Sequence, residues 1–130
     1  MMSKHRKSVT LFLLTIALLI CVGFLLFEAQ TRSLRRLIDD VVYDNRNHYL
    51  SCEQLPTLSQ VESVVAEHQS VIHQIEQINP GLVGVEVNSI TCPGKADILF
   101  WYGTHQDRVS LEGIIGGDTF FGIPYRLQNR

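Results

Sequence analysis

The stretch VTLFLLTIALLICVGFLLF, Val9–Phe27, runs nineteen residues without a charge and separates an anchor from everything that follows it. As a helix at ~1.5 Å per residue it reaches roughly 28 Å, close to the ~30 Å hydrocarbon core of a bilayer. Three readings compete for it: a cleaved signal peptide, a lipoprotein signal and a retained transmembrane helix. A signal peptide has an apolar region of about 7–15 residues and a small-residue cleavage site. Here the run is longer, and Phe27-Glu28-Ala29 puts a bulky Phe27 where a small residue is needed. A lipobox requires a small residue before its cysteine, and Cys21 follows Ile20. The retained helix is therefore expected, with secretion after cleavage as the alternative. Thr10 and Thr15 are tolerable in lipid because a hydroxyl can bond back to its own helix's carbonyls.

Lys4, Arg6 and Lys7 stand directly before the span; Arg32, Arg35 and Arg36 follow it at greater distance. Proximity and the weight of the first flank favour a cytoplasmic N-terminus. The expected organisation is 1–8 cytoplasmic, 9–27 transmembrane, 28–47 juxtamembrane helix and linker, and 48–130 one extracytoplasmic domain. From Glu28 onward there are eight basic and thirteen acidic residues, and Lys95 is the single lysine. An acidic domain without a basic stripe argues against nucleic acid as a partner.

From Glu28 to Tyr43 the apolar residues Leu34, Leu37, Ile38, Val41 and Val42 recur at helical spacing between Arg35, Arg36, Asp39 and Asp40. The expected fate of that stripe is burial on its own domain; the alternative is a short self-associating stalk. Thr57, with Gln60 three residues on, has the form of a capping box and opens a long helix over 58–78. Val83, Val85 and Val87 then alternate with Gly84, Glu86 and Asn88 as a strand. After the turn residues Cys92-Pro93-Gly94-Lys95, a second strand over 96–102 is apolar on both faces, as an interior strand is. Thr104 is an N-cap for a helix that Gly116-Gly117 ends, and 119–126 reads as a last strand with Pro124 at its end or edge. The fold class is α+β: a transmembrane helix and then a small αββαβ domain, two helices covering one face of an antiparallel or mixed sheet. A short first strand near Tyr49 would make it βαββαβ, the ferredoxin-like split arrangement.

Cys52 precedes the long helix and Cys92 lies after the first strand. If helix and strand run antiparallel, their lengths, roughly 31 and 33 Å, bring both cysteines to one end of the domain. A Cys52–Cys92 disulfide is expected, and it requires an oxidising compartment, in agreement with an outside location for the domain. Two reduced core cysteines, or a metal pair with His48, are the rival readings.

Candidate chemistry is sparse. His105, Asp107 and Ser110 are neighbours in sequence, but on a helix His105 and Asp107 point about 200° apart. No Gly-x-Ser-x-Gly, phosphate loop or His-Glu-x-x-His motif occurs. No catalytic residue, metal ligand or cofactor is assigned. An enzyme would need a pocket that joins groups from distant segments, such as His48, His68, His105 and Asp97. The aromatic run around 118–126 leaves Trp101, Phe121, Tyr125 and Arg126 as a candidate partner surface on the sheet's open face. Element order over Leu58–Arg126 resembles small envelope modules such as the BON domain, and the ferredoxin-like propeptides that inhibit proteases by docking a sheet face. The first resemblance implies a module associated with membrane surfaces. The second implies an inhibitor or chaperone-like domain for an envelope protease. The expected role is a non-catalytic binding domain, tethered to the membrane through 9–27, with an envelope protein as its partner.

Overall fold

A computed structural model describes the backbone from Met2 to Arg130 and side chains from Ser8 onward. Lys4, Arg6 and Lys7, on which the orientation argument leans, therefore lie outside the described side chains. The chain folds as two compact units, one up to Leu37 and one from Ile38 to Arg130.

In the first unit, α1 spans Met2–Thr31. Its stretch Ser8–Thr31 has mean hydropathy 2.9 and none of it is buried, so it is long and apolar enough to cross a membrane. Thr15 Oγ1 donates to Leu11 O at 2.9 Å, the back-bond that makes a hydroxyl acceptable in lipid. The helix expected to continue through Tyr43 instead breaks at Arg32, whose φ is +52°. A second helix, α2, covers Ser33–Val41. The Glu28 carboxylate accepts from the backbone N–H groups of Leu34 and Arg35 at 2.8 and 3.2 Å and so caps the new helix start.

In the second unit a 3-10 turn at Cys52–Gln54 precedes α3 (Leu58–Glu67), α4 (Gln69–Glu76), β1 (Val83–Asn88), β2 (Asp97–Tyr102), α5 (His105–Ile115), β3 (Thr119–Phe120) and β4 (Ile123–Asn129). The Thr57–Gln60 capping box forms as expected: Gln60 Oε1 accepts from Thr57 N–H at 2.9 Å. Thr104 caps α5 and Gly116 ends it at φ +71°. The long helix expected over 58–78 is two helices. His68 leaves the helical region at φ −111°, ψ 30°, and its ring stacks on Phe121 with centroids 3.5 Å apart.

The sheet order is β1-β2-β4-β3, with β1 antiparallel and β4 parallel to β2, and β3 antiparallel to β4. The strand expected over 119–126 is thus a hairpin. Its two turn residues, Phe121 and Gly122, both have positive φ (+49° and +87°), as a twist-matched two-residue turn demands. Phenylalanine is an unfavourable choice there; the His68 stack is the contact that holds it. The parallel strands pair directly, Ile98 opposite Tyr125 and Phe100 opposite Leu127, with no strand between them. The segment near Tyr49 adds no full strand. It contributes one bridge, Arg46 to Leu127, on the outer side of β4.

One sheet face carries Ile98, Phe100 and Tyr102 of β2 with Ile123, Tyr125 and Leu127 of β4 and packs on Val61, Ile72, Ile75 and Leu111 of the helices. Phe100 meets Phe120 and Tyr125 edge-on, at 5.6 and 5.5 Å. β2 is an interior strand covered on both sides, since Leu99 on the opposite face is only 4% exposed.

Cys52 and Cys92 form a disulfide, their Cα atoms 5.4 Å apart. The matched lengths of helix and strand are not what brings them together. Main-chain bonds from Ala96 N–H to Pro56 O (3.1 Å) and from Leu58 N–H to Gly94 O (3.2 Å) lay the Cys52 segment beside the β1–β2 connection. Replacing both cysteines by alanine is expected to lower unfolding free energy by about 2–4 kcal/mol. Denaturant titrations of the wild type with and without reductant, beside the double variant, measure this.

Candidate functional site

The face of the sheet opposite the helices follows from strand alternation. It carries Gly84 and Glu86 of β1, Asp97, Leu99 and Trp101 of β2, and Arg126 and Gln128 of β4, paired as Gly84–Trp101, Glu86–Leu99, Leu99–Arg126 and Trp101–Gln128. A strap from Asp44 to Thr57 covers one end of it. The strap begins on the edge of β4, where Arg46 exchanges main-chain bonds of 2.9 and 2.8 Å with Leu127. It then crosses the face to the start of β2, where Thr57 bridges Lys95.

Asp97 fixes the crossing. The residue is 3% exposed, and its carboxylate bonds His48 Nε2 at 2.7 Å and the Arg126 guanidinium through Nε and Nη2. Burial pushes the Asp97 carboxyl up, but the hydrogen bonds from His48 and Arg126 outweigh it and hold the group below its ordinary value. His48 Nδ1 accepts from Leu50 N–H at 3.0 Å, which assigns the ring proton to Nε2, donated to Asp97. Both ring nitrogens are thereby engaged, so His48 offers no lone pair to a substrate proton in this geometry.

A second network lies on the α5 side. Arg108 is only 7% exposed and donates to Asp40, to Asp44 Oδ1 at 2.8 Å and to Glu112 Oε1 at 3.3 Å. Asp44 also meets His105 Nδ1 at 2.8 Å, and its carbonyl accepts from Tyr102 Oη. Burial raises the Asp44 carboxyl, yet the His105 and Arg108 hydrogen bonds bring it below its usual range. Burial would lower the Arg108 pKa; the Asp40 and Asp44 carboxylates reverse that and keep the guanidinium charged. Arg46 joins the same side, bonding Asp118 and lying 3.6 Å from Glu112. An open depression near Asp40, Asp44, Thr104, His105 and Asn129 adjoins these residues. These contacts hold residues 38–47, expected as the end of the juxtamembrane helix and its linker, to α5 and β4, within the compact unit that begins at Ile38.

The residues singled out as a partner surface do not converge. Trp101 is half-buried on the open face. Arg126 shares that face but is committed to Asp97. Tyr125 points the other way, 3% exposed in the core, where Tyr125 Oη donates to Gly117 O at 2.7 Å and burial raises its pKa. Phe121 is 54% exposed at the β3–β4 turn, beside His68. The histidines expected to need a common pocket are likewise distributed: His48 on Asp97, His68 on Phe121, His105 on Asp44. Asp107 caps α5 and accepts from Asn79 Nδ2, and Ser110 bonds Gln106 O, so neither meets His105. Among the described residues no group of three His, Cys, Asp or Glu side chains is placed to hold a metal ion. Asp97 and Arg108 were missed as organising residues. Apart from Glu112, four residues after Arg108, their partners lie 49 and 29 residues away for Asp97 and 64 and 68 for Arg108, beyond the reach of local pattern. The one available signal was the ionisable Asp97 at the head of an apolar strand.

The uncovered part of the face centres on Trp101. Its ring lies against Gly84, where an added Cβ would stand 2.2 Å from Trp101 Cζ2. The Arg130 guanidinium sits 5.9 Å from the indole centroid and reaches Glu86 at 3.5 Å. β1 is the outer strand on this side, and among the described residues its outer main chain is bridged only at Val83, by Pro80. Comparison with protein-family models, curated proteins and solved structures finds no match to this chain.

Two outcomes are expected. Asp97→Asn should cost about 1.5–3 kcal/mol near neutral pH, the usual effect of losing hydrogen bonds to a charged group. Because the folded pKa of Asp97 is depressed, its contribution is fully present above the unfolded value of about 4 and fades as pH falls through the folded value. The variant's stability should therefore fall less steeply than the wild type's on acidification below about pH 4; pH-dependent denaturant titrations report both. Gly84→Ala should displace the single tryptophan, shift its emission to the red and destabilise by about 1–3 kcal/mol.

Proposed function

We propose that this is a single-pass membrane protein with a cytoplasmic N-terminus, whose domain works outside the cytoplasm by protein–protein contact. The observation that carries the reading is the pairing of an uncharged apolar helix over Ser8–Thr31 with a disulfide in the domain that follows it. Disulfides persist in oxidising compartments, and that supports the outside location independently of the flanking charges.

The partner surface favoured by the geometry is the outer edge of β1 together with Trp101. An exposed strand edge offers unpaired main-chain groups to an extended peptide, and a large aromatic beside it supplies the anchor such contacts favour. Of the four residues of the expected surface, this reading uses Trp101; Tyr125 is buried, Arg126 is held by Asp97 and Phe121 lies at the β3–β4 turn. A propeptide-like inhibitor of an envelope protease would dock through the open face, one end of which the strap already occupies; the edge reading needs no such displacement.

Two measurements on the full chain in its native membrane test this. A membrane-impermeant maleimide added from outside should label Val109→Cys and leave Ser3→Cys unlabelled; the reverse pattern rejects the orientation. A photoreactive residue at Glu86 should yield a discrete cross-linked protein that disappears with Trp101→Ala. No cross-link, or one that is insensitive to Trp101→Ala, rejects the edge.

A further inference from the structure

α2 is attached to its domain by the wrong face. In a helix of Ser33–Val41 continued through Val42, the residues Leu34, Leu37, Ile38, Val41 and Val42 form one side, while Asp39 and Asp40 lie on the other. A surface helix ordinarily turns its apolar stripe to the core and its charges to water. Here Asp40 accepts from the buried Arg108 and Asp39 from Tyr49 Oη, so it is the acidic side that grips the domain. No residue of α2 is buried, and Val41 and Val42 are 70% and 68% exposed.

We infer that the exposed stripe of α2 rests in the headgroup–acyl boundary of the bilayer, making α2 an interfacial helix with its polar side bolted to the domain. Two features select lipid over a second copy or a protein groove. The stripe begins at Leu34, three residues after α1 ends at Thr31. At nine residues the helix presents a strip roughly 14 Å long and 10 Å wide, far below the ~800 Å² per partner of a stable protein interface. A short amphipathic helix with such a stripe is what an interface takes up in the plane of the membrane.

The inference rests on α1 being a retained anchor, so the test reads the two separately. The full chain carrying Trp101→Phe is reconstituted into phosphatidylcholine–phosphatidylglycerol vesicles whose acyl chains are brominated at a shallow or a deep position. Single tryptophans are introduced as Val41→Trp, Phe24→Trp and Val109→Trp. The Val41→Trp emission should move to the blue and lose most of its intensity to shallow bromines, more than to deep ones. Phe24→Trp should be quenched most by deep bromines, and Val109→Trp by neither. An unquenched Val41→Trp overturns the inference, whether its emission is that of water or is blue-shifted by a second copy or another protein. An unquenched Phe24→Trp overturns the anchor instead, and the Val41→Trp result still decides whether α2 binds lipid.

Discussion

The guanidinium of Arg108 sets the arrangement of the second unit. A buried cation is costly unless its charge and its hydrogen-bonding groups are met, and Arg108 is met by Asp40, Asp44 and Glu112. Those carboxylates come from the end of α2, the start of the strap and α5 itself. To satisfy one arginine the chain after α2 comes down on α5, and from there it runs along the free edge of β4. The Tyr102 hydroxyl, bonded to the Asp44 carbonyl, fastens the same corner to the interior strand.

Once the chain is on that edge, Asp97 decides where it goes next. A buried carboxylate on the face opposite the helices calls for donors, and His48 and Arg126 supply them. The strap therefore crosses over β4 toward β2 and shields Leu99, while the far end of the face, with Trp101 over Gly84, stays open. Strap and β3 together occupy the outer side of β4. That leaves β1 as the unguarded edge, next to the one large aromatic on the open face. Two polar sites thus decide which part of the open face is covered and which part stays exposed.

Local pattern was legible and distant pairing was not. The apolar span, the capping boxes at Thr57 and Thr104, the interior strand at 97–102 and the Cys52–Cys92 bond were readable because each has its own residue chemistry or a strict period. The break at His68 was hidden, since Val61, Val64, Val65, Ile72 and Ile75 keep helical spacing through it; the stack on Phe121 is a tertiary event. The same event concealed the Phe121-Gly122 turn, where phenylalanine stands in a conformation usually given to asparagine or glycine. Tyr125 and Trp101 look alike in the sequence, yet strand alternation and pairing send one into the core and leave the other on the open face. The stripe of α2 was read correctly as apolar, while its expected burial failed because Asp39 and Asp40 had partners that no nearby residue announced.

The strap has a further consequence for the order of events during synthesis. It is made long before β4, the strand that receives it, and contacts between segments so far apart close late. The Cys52–Cys92 bond, and the main-chain contacts at Gly94 and Ala96 that seat it, need nothing from β4, so oxidation can precede the arrival of that strand. Residues 44–51 lie outside the covalent loop. They remain free to swing aside while β4 docks against β2, and to close over it when Arg126 reaches Asp97. A crosslink drawn only a few residues earlier in the chain would have shut that door before the last strand could enter.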